Sequence, residues 1–286
     1  MATRLLHYDI IERLGEGARS TIYRARDSKT GREVALKHVV RDDVKDIRFV
    51  EQMEAEFEIS KQFNHPNLRR TYELKIAKSM LLKVTEAYLI MELVEGQSLD
   101  VHPPETLTEV LEVFIQVAKG LQYMHNLGYA HCDMKPNNIM RDADGHVKVI
   151  DYGQSCTVGT VKERIQGTPD FIAPEQMKRL PVGIETDSYN FGATLYWCLT
   201  GQHIPTAYTV TKKQKENSFL VDSRIQTPQD LNPRVPPVVS GLVMSCIKNR
   251  MSERPGDMSD VVHKLEIGHH ILTRDANRDK FEDFEV

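Results

Sequence analysis

One short run, His131-Cys-Asp-Met-Lys-Pro-Asn-Asn-Ile-Met140, constrains this chain more than any other. A long amphipathic stretch precedes it, and Val147-Lys-Val-Ile-Asp-Tyr-Gly153 follows. An acid at Asp133, a lysine at Lys135 and an amide at Asn138 are thus held between a helix and a small pair of strands, with a second acid at Asp151. That spacing suits a loop that handles a polyphosphate. Asp133 can accept a hydroxyl proton, Lys135 can steady a moving phosphoryl group, and Asn138 and Asp151 can hold Mg²⁺ through oxygen. The plainer reading is a polar turn between strands, and the remaining chain has to decide between the two.

With 286 residues the chain can bury a substantial core, as one large domain or two medium ones. A net charge of −4 gives no sign of a nucleic-acid-binding or membrane-facing surface. The basic cluster Lys212-Lys-Gln-Lys215 reads as a solvated loop. The four cysteines, Cys132, Cys156, Cys198 and Cys246, stand far apart, and no Cys-x-x-Cys pair points to zinc or to a disulfide framework. They fit a reducing compartment. The N-terminal Met-Ala-Thr-Arg-Leu-Leu-His has no signal-peptide apolar run, and no stretch reaches the roughly 20 apolar residues that span a bilayer. The expected setting is cytoplasmic.

Residues 8–14 and 21–25 read as strands around Gly15-Glu-Gly-Ala-Arg-Ser20. Gly15 and Gly17 permit a tight hairpin whose N–H groups can face phosphates. Alone, the two glycines fit any plain turn, and a strand after them argues against a dinucleotide fingerprint, which needs a helix there. Residues 33–39 form a third strand, with Lys37 among apolar neighbours. A buried lysine requires a carboxylate partner. Helical spacing over 44–63 places Phe49, Met53, Glu56, Ser60 and Phe63 on one stripe and leaves Glu51, Glu54 and Glu58 to solvent.

Two more strands follow, near 71–76 and 87–91. Over 106–126, Leu107, Val110, Leu111, Phe114, Ala118 and Leu121 recur at helical spacing, and Gly128 caps the end. Asp142-Ala-Asp-Gly145 is a turn between short strands at 139–140 and 147–150. A helix opens near Thr186 and stops at Gly201, another covers 241–247, and 205–237 is loop-rich. The charged tail is expected to fray from Thr273, with Phe281 and Phe284 as docking residues.

In their order and spacing these signals resemble the protein kinase catalytic domain. Val34-Ala-Leu-Lys37 is similar to the family's Val-Ala-Ile-Lys strand, and Gly167-Thr-Pro with Ala173-Pro-Glu175 closes the segment that begins at Asp151. The departures are Ser20 where a third glycine is usual, Cys132 where arginine is usual, and Tyr152 where phenylalanine is usual. The resemblance covers about 8–267 and identifies a eukaryotic-type (Hanks-type) Ser/Thr protein kinase catalytic domain. It implies an α+β, bilobal fold: a small antiparallel-sheet lobe with one helix (1–93), a larger, mainly helical lobe (94–267), and the tail (268–286).

It also implies ATP with Mg²⁺, or Mn²⁺ in its place, and a protein substrate. It leaves the oligomeric state open, and the net charge gives no sign of a nucleic-acid partner. Carried over residue by residue, Gly15 and Gly17 cover the phosphates, and Lys37 with Glu56 holds the α- and β-phosphates. Ile22, Ala35 and Met140 sandwich the adenine, whose edge meets the backbone of Glu92 and Val94. Asp133 orients the hydroxyl, Lys135 neutralises the transferring group, and Asn138 and Asp151 bind the metal. Thr168 bonds Asp133 and Lys135, Asp187 anchors the loop backbone, and Glu175 pairs with Arg254. Two other classes are weighed by the same residues. A small-molecule kinase of this fold generally lacks the Gly-Thr-Pro…Ala-Pro-Glu segment. A pseudokinase scaffold would have lost Lys37, Asp133 or Asp151, and all three are present.

Overall fold

Strands buried on both faces organise the first half of the fold. A computed structural model of the protein describes residues 4–17, 19–80, 83–206 and 225–282. The cluster at 212–215 and Phe284 lie outside them. The described residues fall into two compact units that divide between Glu95 and Gly96, with Asp151–Gly153 belonging to the first.

The first unit is a six-stranded antiparallel sheet. Its strands are β1 (Arg4–Leu5), β2 (Tyr8–Glu16), β3 (Ser20–Asp27), β4 (Glu33–Val40), β5 (Thr71–Lys78) and β6 (Val84–Met91), in the order β1-β2-β3-β4-β6-β5. Successive side chains of a strand point to opposite faces. Ala35 and Val39 of β4, with Ala87, Leu89 and Met91 of β6, therefore share one face. Val34 and Leu36, with Tyr88 and Ile90, share the other. Both faces are buried, which is why these strands read as continuous apolar runs. Lys37 lies on the face of Ala35 and Val39. Helix α1 (Ile47–Ser60) covers that face with Val50 and Met53. The single helix thus supplies the carboxylate that Lys37 requires.

The stripe is close to the one expected. Val50, Met53, Glu56, Ile59 and Ser60 are buried, and Glu51, Glu54 and Glu58 are exposed. A 3₁₀ turn, Val44–Asp46, starts the helix, because the Asp46 carboxylate accepts the N–H groups of Asp42 and Asp43 at 3.2 and 3.0 Å. Strand β2 runs on through Gly15 to Glu16, beyond the expected end at 14, since Gly15 pairs with Ile22 and Glu16 with Thr21.

The second unit is mainly helical. Helix α2 (Leu107–Asn126) is capped by the Thr106 hydroxyl, which accepts from the Glu109 N–H. Gly128, at φ +81°, ends it, as expected. Between β7 (Gln97–Ser98) and α2 no helix occurs among the described residues. A three-stranded sheet, β10-β9-β7, combines β9 (Ile139–Arg141) and β10 (Val147–Val149) with β7. Strand β8 (Tyr129–Ala130) pairs with β11 (Cys156–Thr157). Among the described residues the remaining α-helices are α3 (Pro174–Lys178), α4 (Ile184–Thr200), α5 (Pro228–Leu231), α6 (Pro237–Cys246) and α7 (Met258–Glu282).

Helix α6 begins four residues before its expected start, at a proline whose missing N–H costs nothing in the first turn. Helix α7 corrects the expected tail. It continues through 267 and to Glu282, and Gly268 lies so close to α6 that a Cβ there would meet Val239 at 2.3 Å. The core between α2 and α4 is marked by an edge-to-face pair, Phe114 on Phe191, with ring centroids 5.2 Å apart.

One buried charge holds the lower helices together. Arg254 clasps Glu175 through two parallel bonds of 2.7 and 2.9 Å, with the side chains 0% and 2% exposed. Its remaining donors reach the carbonyls of Lys248, Glu185 and Asn249. Its guanidinium lies over the Tyr189 ring, 4.9 Å from the centroid. Removing one partner of a buried pair strands the other at a cost of about 3–5 kcal/mol. Arg254→Ala is therefore expected to lower Tm by several degrees in a calorimetric scan. An unchanged Tm would mean that the pair contributes nothing net.

Candidate active site

In the first unit three charged residues converge. The Lys37 ammonium donates to Glu56 Oε2 at 2.7 Å and lies 3.7 Å from Asp151 Oδ1. Burial alone would lower the lysine's pKa. The Glu56 carboxylate, and then that of Asp151, outweigh it and hold Lys37 above its ordinary range. Glu56 is 2% exposed, whereas the Asp151 side chain is 48% exposed. Asp151 stands in the left-handed region at φ +62°, and its Oδ1 accepts the Gly153 N–H at 3.3 Å. Gln52 of α1 donates to the Gly153 carbonyl at 2.8 Å, which ties this short segment to the helix that carries Glu56. Tyr152 is buried, with its ring edge-to-face on Phe63 and its hydroxyl donating to the Arg69 carbonyl at 3.3 Å.

Ile22 of β3 and Ala35 of β4 lie in and against the apolar cluster that also contains Met91. At Met91 strand β6 ends, and residues 92–95 leave the sheet. Gly17 turns the β2–β3 hairpin with its N–H on the Ser20 carbonyl at 2.7 Å.

In the second unit Asp133, Lys135 and Thr168 form a closed polar triangle. Lys135 donates to Asp133 Oδ2 at 2.8 Å and to the Thr168 hydroxyl at 3.0 Å, and that hydroxyl donates to Asp133 Oδ1 at 3.0 Å. Asn138 turns its amide N–H towards the Asp133 carbonyl at 2.8 Å, so its side-chain oxygen points away from that carbonyl. The loop itself is fixed from below. Asp187 accepts the backbone N–H groups of His131 and Cys132 at 2.8 and 2.7 Å, and His125 of α2 reaches it at 2.8 Å. Cys132 adopts φ +63°, and its carbonyl is held by Gln176 at 2.7 Å. Met140 lies on β9.

The structure thus brings Lys37, Glu56 and Asp151 together in one unit and Asp133, Lys135, Asn138 and Thr168 together in the other. Sequence reasoning missed Arg69. It is 5% exposed and lies 4.0 Å from Glu56 Oε1, and no periodicity around it distinguishes it from its exposed neighbour Arg70. It also missed Gln52, Gln176 and His125, whose roles depend on contacts far along the chain.

A sheet-plus-helix unit thus carries a lysine–glutamate–aspartate set, and a helical unit carries an aspartate–lysine–threonine loop. The model of the protein kinase domain matches residues 8–265, and the chain belongs to that family. It is similar to a probable serine/threonine-protein kinase of Clostridium acetobutylicum, with 26% identity over 90% of this chain and 39% of the relative. A probable serine/threonine-protein kinase of Corynebacterium efficiens is 28% identical over 94% of this chain and 42% of its own length. Sperm motility kinase 2B of Mus musculus is 30% identical over 83% of this chain and 51% of its own length. The chain therefore spans between about a third and half of the curated relatives it matches. Among the described residues no helix is long and apolar enough to cross a membrane.

The Lys37 pair has a pH signature. A lysine held above its ordinary pKa contributes stability that is complete below the unfolded value of about 10.4 and is lost as pH rises through the folded value. The stability difference between the parent and Lys37→Met, measured by urea unfolding, is therefore expected to stay constant from pH 7 to 9. A difference that fades across that range would overturn the pairing.

Proposed function

We propose that this chain is an ATP-dependent protein kinase that phosphorylates Ser/Thr hydroxyls of protein substrates, acting in the cytoplasm. The carrying observation is the triangle of Asp133, Lys135 and Thr168, together with an intact Lys37–Glu56 pair. The donor set suits Mg²⁺: the half-exposed Asp151 carboxylate and the Asn138 amide offer hard oxygen atoms and no thiolate or imidazole. Bound Mg-ATP supplies the phosphoryl group and spreads its charge.

The chain's own residues do the rest by position and field. Lys37, steadied by Glu56, offers a fixed positive charge to the α- and β-phosphates. Gly15 and Gly17 let the hairpin backbone approach phosphate without side chains in the way. Ile22, Ala35 and Met140 offer apolar surface to adenine, and the backbone of Glu92 and Val94, beyond the end of β6, offers it hydrogen bonds. Asp133 Oδ accepts the proton of the incoming hydroxyl. Lys135 neutralises charge beside it, and Thr168 keeps both side chains in register. The Gly167–Glu175 segment supports a peptide substrate over a small molecule.

Loss of one positioned group commonly costs about 10²–10⁴ in rate. Asp133→Asn, Asp151→Ala and Lys37→Met are each expected to fall by that order in a purified assay with labelled ATP and a generic protein substrate. The parent's product should contain phosphoserine or phosphothreonine. Near-parent activity in any variant, or phosphotyrosine as the main product, would sink this reading.

Regulation follows from Cys132. An arginine at this position could clasp a phosphate with two charge-assisted bonds, whereas a buried thiol offers neither charge nor fork. Of the nearby acceptors, Ser155 is buried with its hydroxyl on the His131 carbonyl, Thr157 is exposed, and Thr160 donates to the Thr157 carbonyl. Activity is therefore expected without phosphorylation of this segment. Phosphatase-treated enzyme and the Ser155→Ala/Thr157→Ala/Thr160→Ala variant should both stay within about twofold of the parent. A tenfold drop in both, about 1.4 kcal/mol of barrier, would overturn the expectation.

A further inference from the structure

The mechanism uses neither thiol of a pair that the fold brings together across 24 residues of sequence. Cys132 Sγ and Cys156 Sγ are 3.9 Å apart. They share a small apolar cluster with Ala130 and Val182. The approach is built by two independent anchors. Asp187 pins the backbone N–H of Cys132, and the β8–β11 ladder sets Cys156 opposite Ala130, two residues before Cys132. A disulfide needs the sulfurs at about 2.0 Å, so closure requires them to approach by about 1.9 Å from the 3.9 Å seen here.

We propose that Cys132 and Cys156 form a dithiol that a hydroperoxide converts into an intrachain disulfide, joining the loop that carries Asp133 to the segment that follows Gly153. Cys156 is the outer thiol, 9% exposed against 1% for Cys132, and the exposed Thr157 follows it. The hydrogen bond from Cys132, and then the ammonium of Lys162, favour its thiolate against the opposing effect of burial. Cys132 is held in the thiol form by the same bond and by burial. The two sulfurs are thus divided into an attacking and a resolving partner.

The chemistry balances. The Cys156 thiolate attacks the peroxide, the O–O bond breaks, and an S–O bond forms. The other oxygen leaves with a proton as alcohol, or as water from hydrogen peroxide. Cys132 then attacks that sulfur, the S–S bond forms, the S–O bond breaks, and the hydroxide departs as water with the Cys132 proton. Two electrons pass from the thiols to the peroxide. Cys198 and Cys246 are the internal controls. Burial pushes the Cys198 thiol far up and that of Cys246 up to about 12.

The test exposes the purified chain to hydrogen peroxide, blocks free thiols with N-ethylmaleimide and maps unreduced tryptic peptides by mass spectrometry. A cross-linked peptide joining Cys132 and Cys156, abolished by dithiothreitol, is expected. Cys132→Ser should leave Cys156 as a sulfenic acid that dimedone traps. Cys156→Ser should leave Cys132 unoxidised. Oxidised Cys156 without the cross-link in the parent, no oxidation at either residue, or a cross-link to Cys198 or Cys246 would overturn the proposal. The parent sample decides the matter even if a variant fails to fold. The readout is independent of phosphoryl transfer, so its outcome and that of the kinase reading are separate.

Discussion

A buried carboxylate has to be solvated by protein dipoles, and meeting that demand at Asp187 fixes much of the second unit. Asp187 is completely buried. Its oxygens accept two consecutive backbone N–H groups and face the imidazole of His125. Consecutive N–H groups can converge on one carboxylate only where the backbone departs from strand geometry, and Cys132 does so at φ +63°. A non-glycine residue there costs about 1–3 kcal/mol and persists where its surroundings over-determine it. Asp133 leaves that kink directed at Lys135 and Thr168. The orientation of Asp133 is thus a consequence of an acid on α4.

Around Glu56 the same constraint is met less completely. Glu56 places one oxygen on Lys37, while the other, Oε1, has no hydrogen-bond partner, and neither do Arg69 Nε, Ser60 Oγ and Thr71 Oγ1. Arg69 faces the same carboxylate at 4.0 Å, too far for a hydrogen bond. Each such buried polar group costs about 1–3 kcal/mol. Arg254, by contrast, has carboxylate or carbonyl partners around its whole guanidinium. The buried pair of the second unit is closed, and that of the first is open on one side.

Legibility in the sequence follows the range of the forces involved. Helices α1 and α2 were readable because each buries a face at helical period, and β4, β6 and α4 because apolar residues run through elements buried on more than one face. Lys37 and Glu56 were readable because an ionisable residue on an apolar face requires a partner, and Asp133 to Asn138 because polar residues so closely spaced in one loop meet within it. Strands β7, β8 and β11 are two residues each and have no period to show. The helix from Thr273 to Glu282 was misread because its run of charged residues shows no apolar period. Arg69 and the Cys132–Cys156 contact were invisible because only the fold brings their partners near.

Cysteine in place of arginine before Asp133 changes what can couple this loop to the segment beyond Gly153. An arginine acts over several ångströms through charge and needs a second charge to meet it. A thiol acts at contact, and at 3.9 Å from Cys156 its present interaction is weak. The neighbouring contacts compensate. Ser155 donates to the His131 carbonyl at 3.4 Å, Gln176 to the Cys132 carbonyl at 2.7 Å, and β11 pairs with β8. These bonds are neutral and short-range, so they hold the segment in place without a phosphate and respond little to ionic strength. The charge that remains nearby, Lys162, is spent on the Gln154 carbonyl at 2.7 Å and on the Cys156 thiolate form. The coupling of loop to segment in this chain therefore rests on packing and neutral hydrogen bonds where a charged pair would otherwise stand.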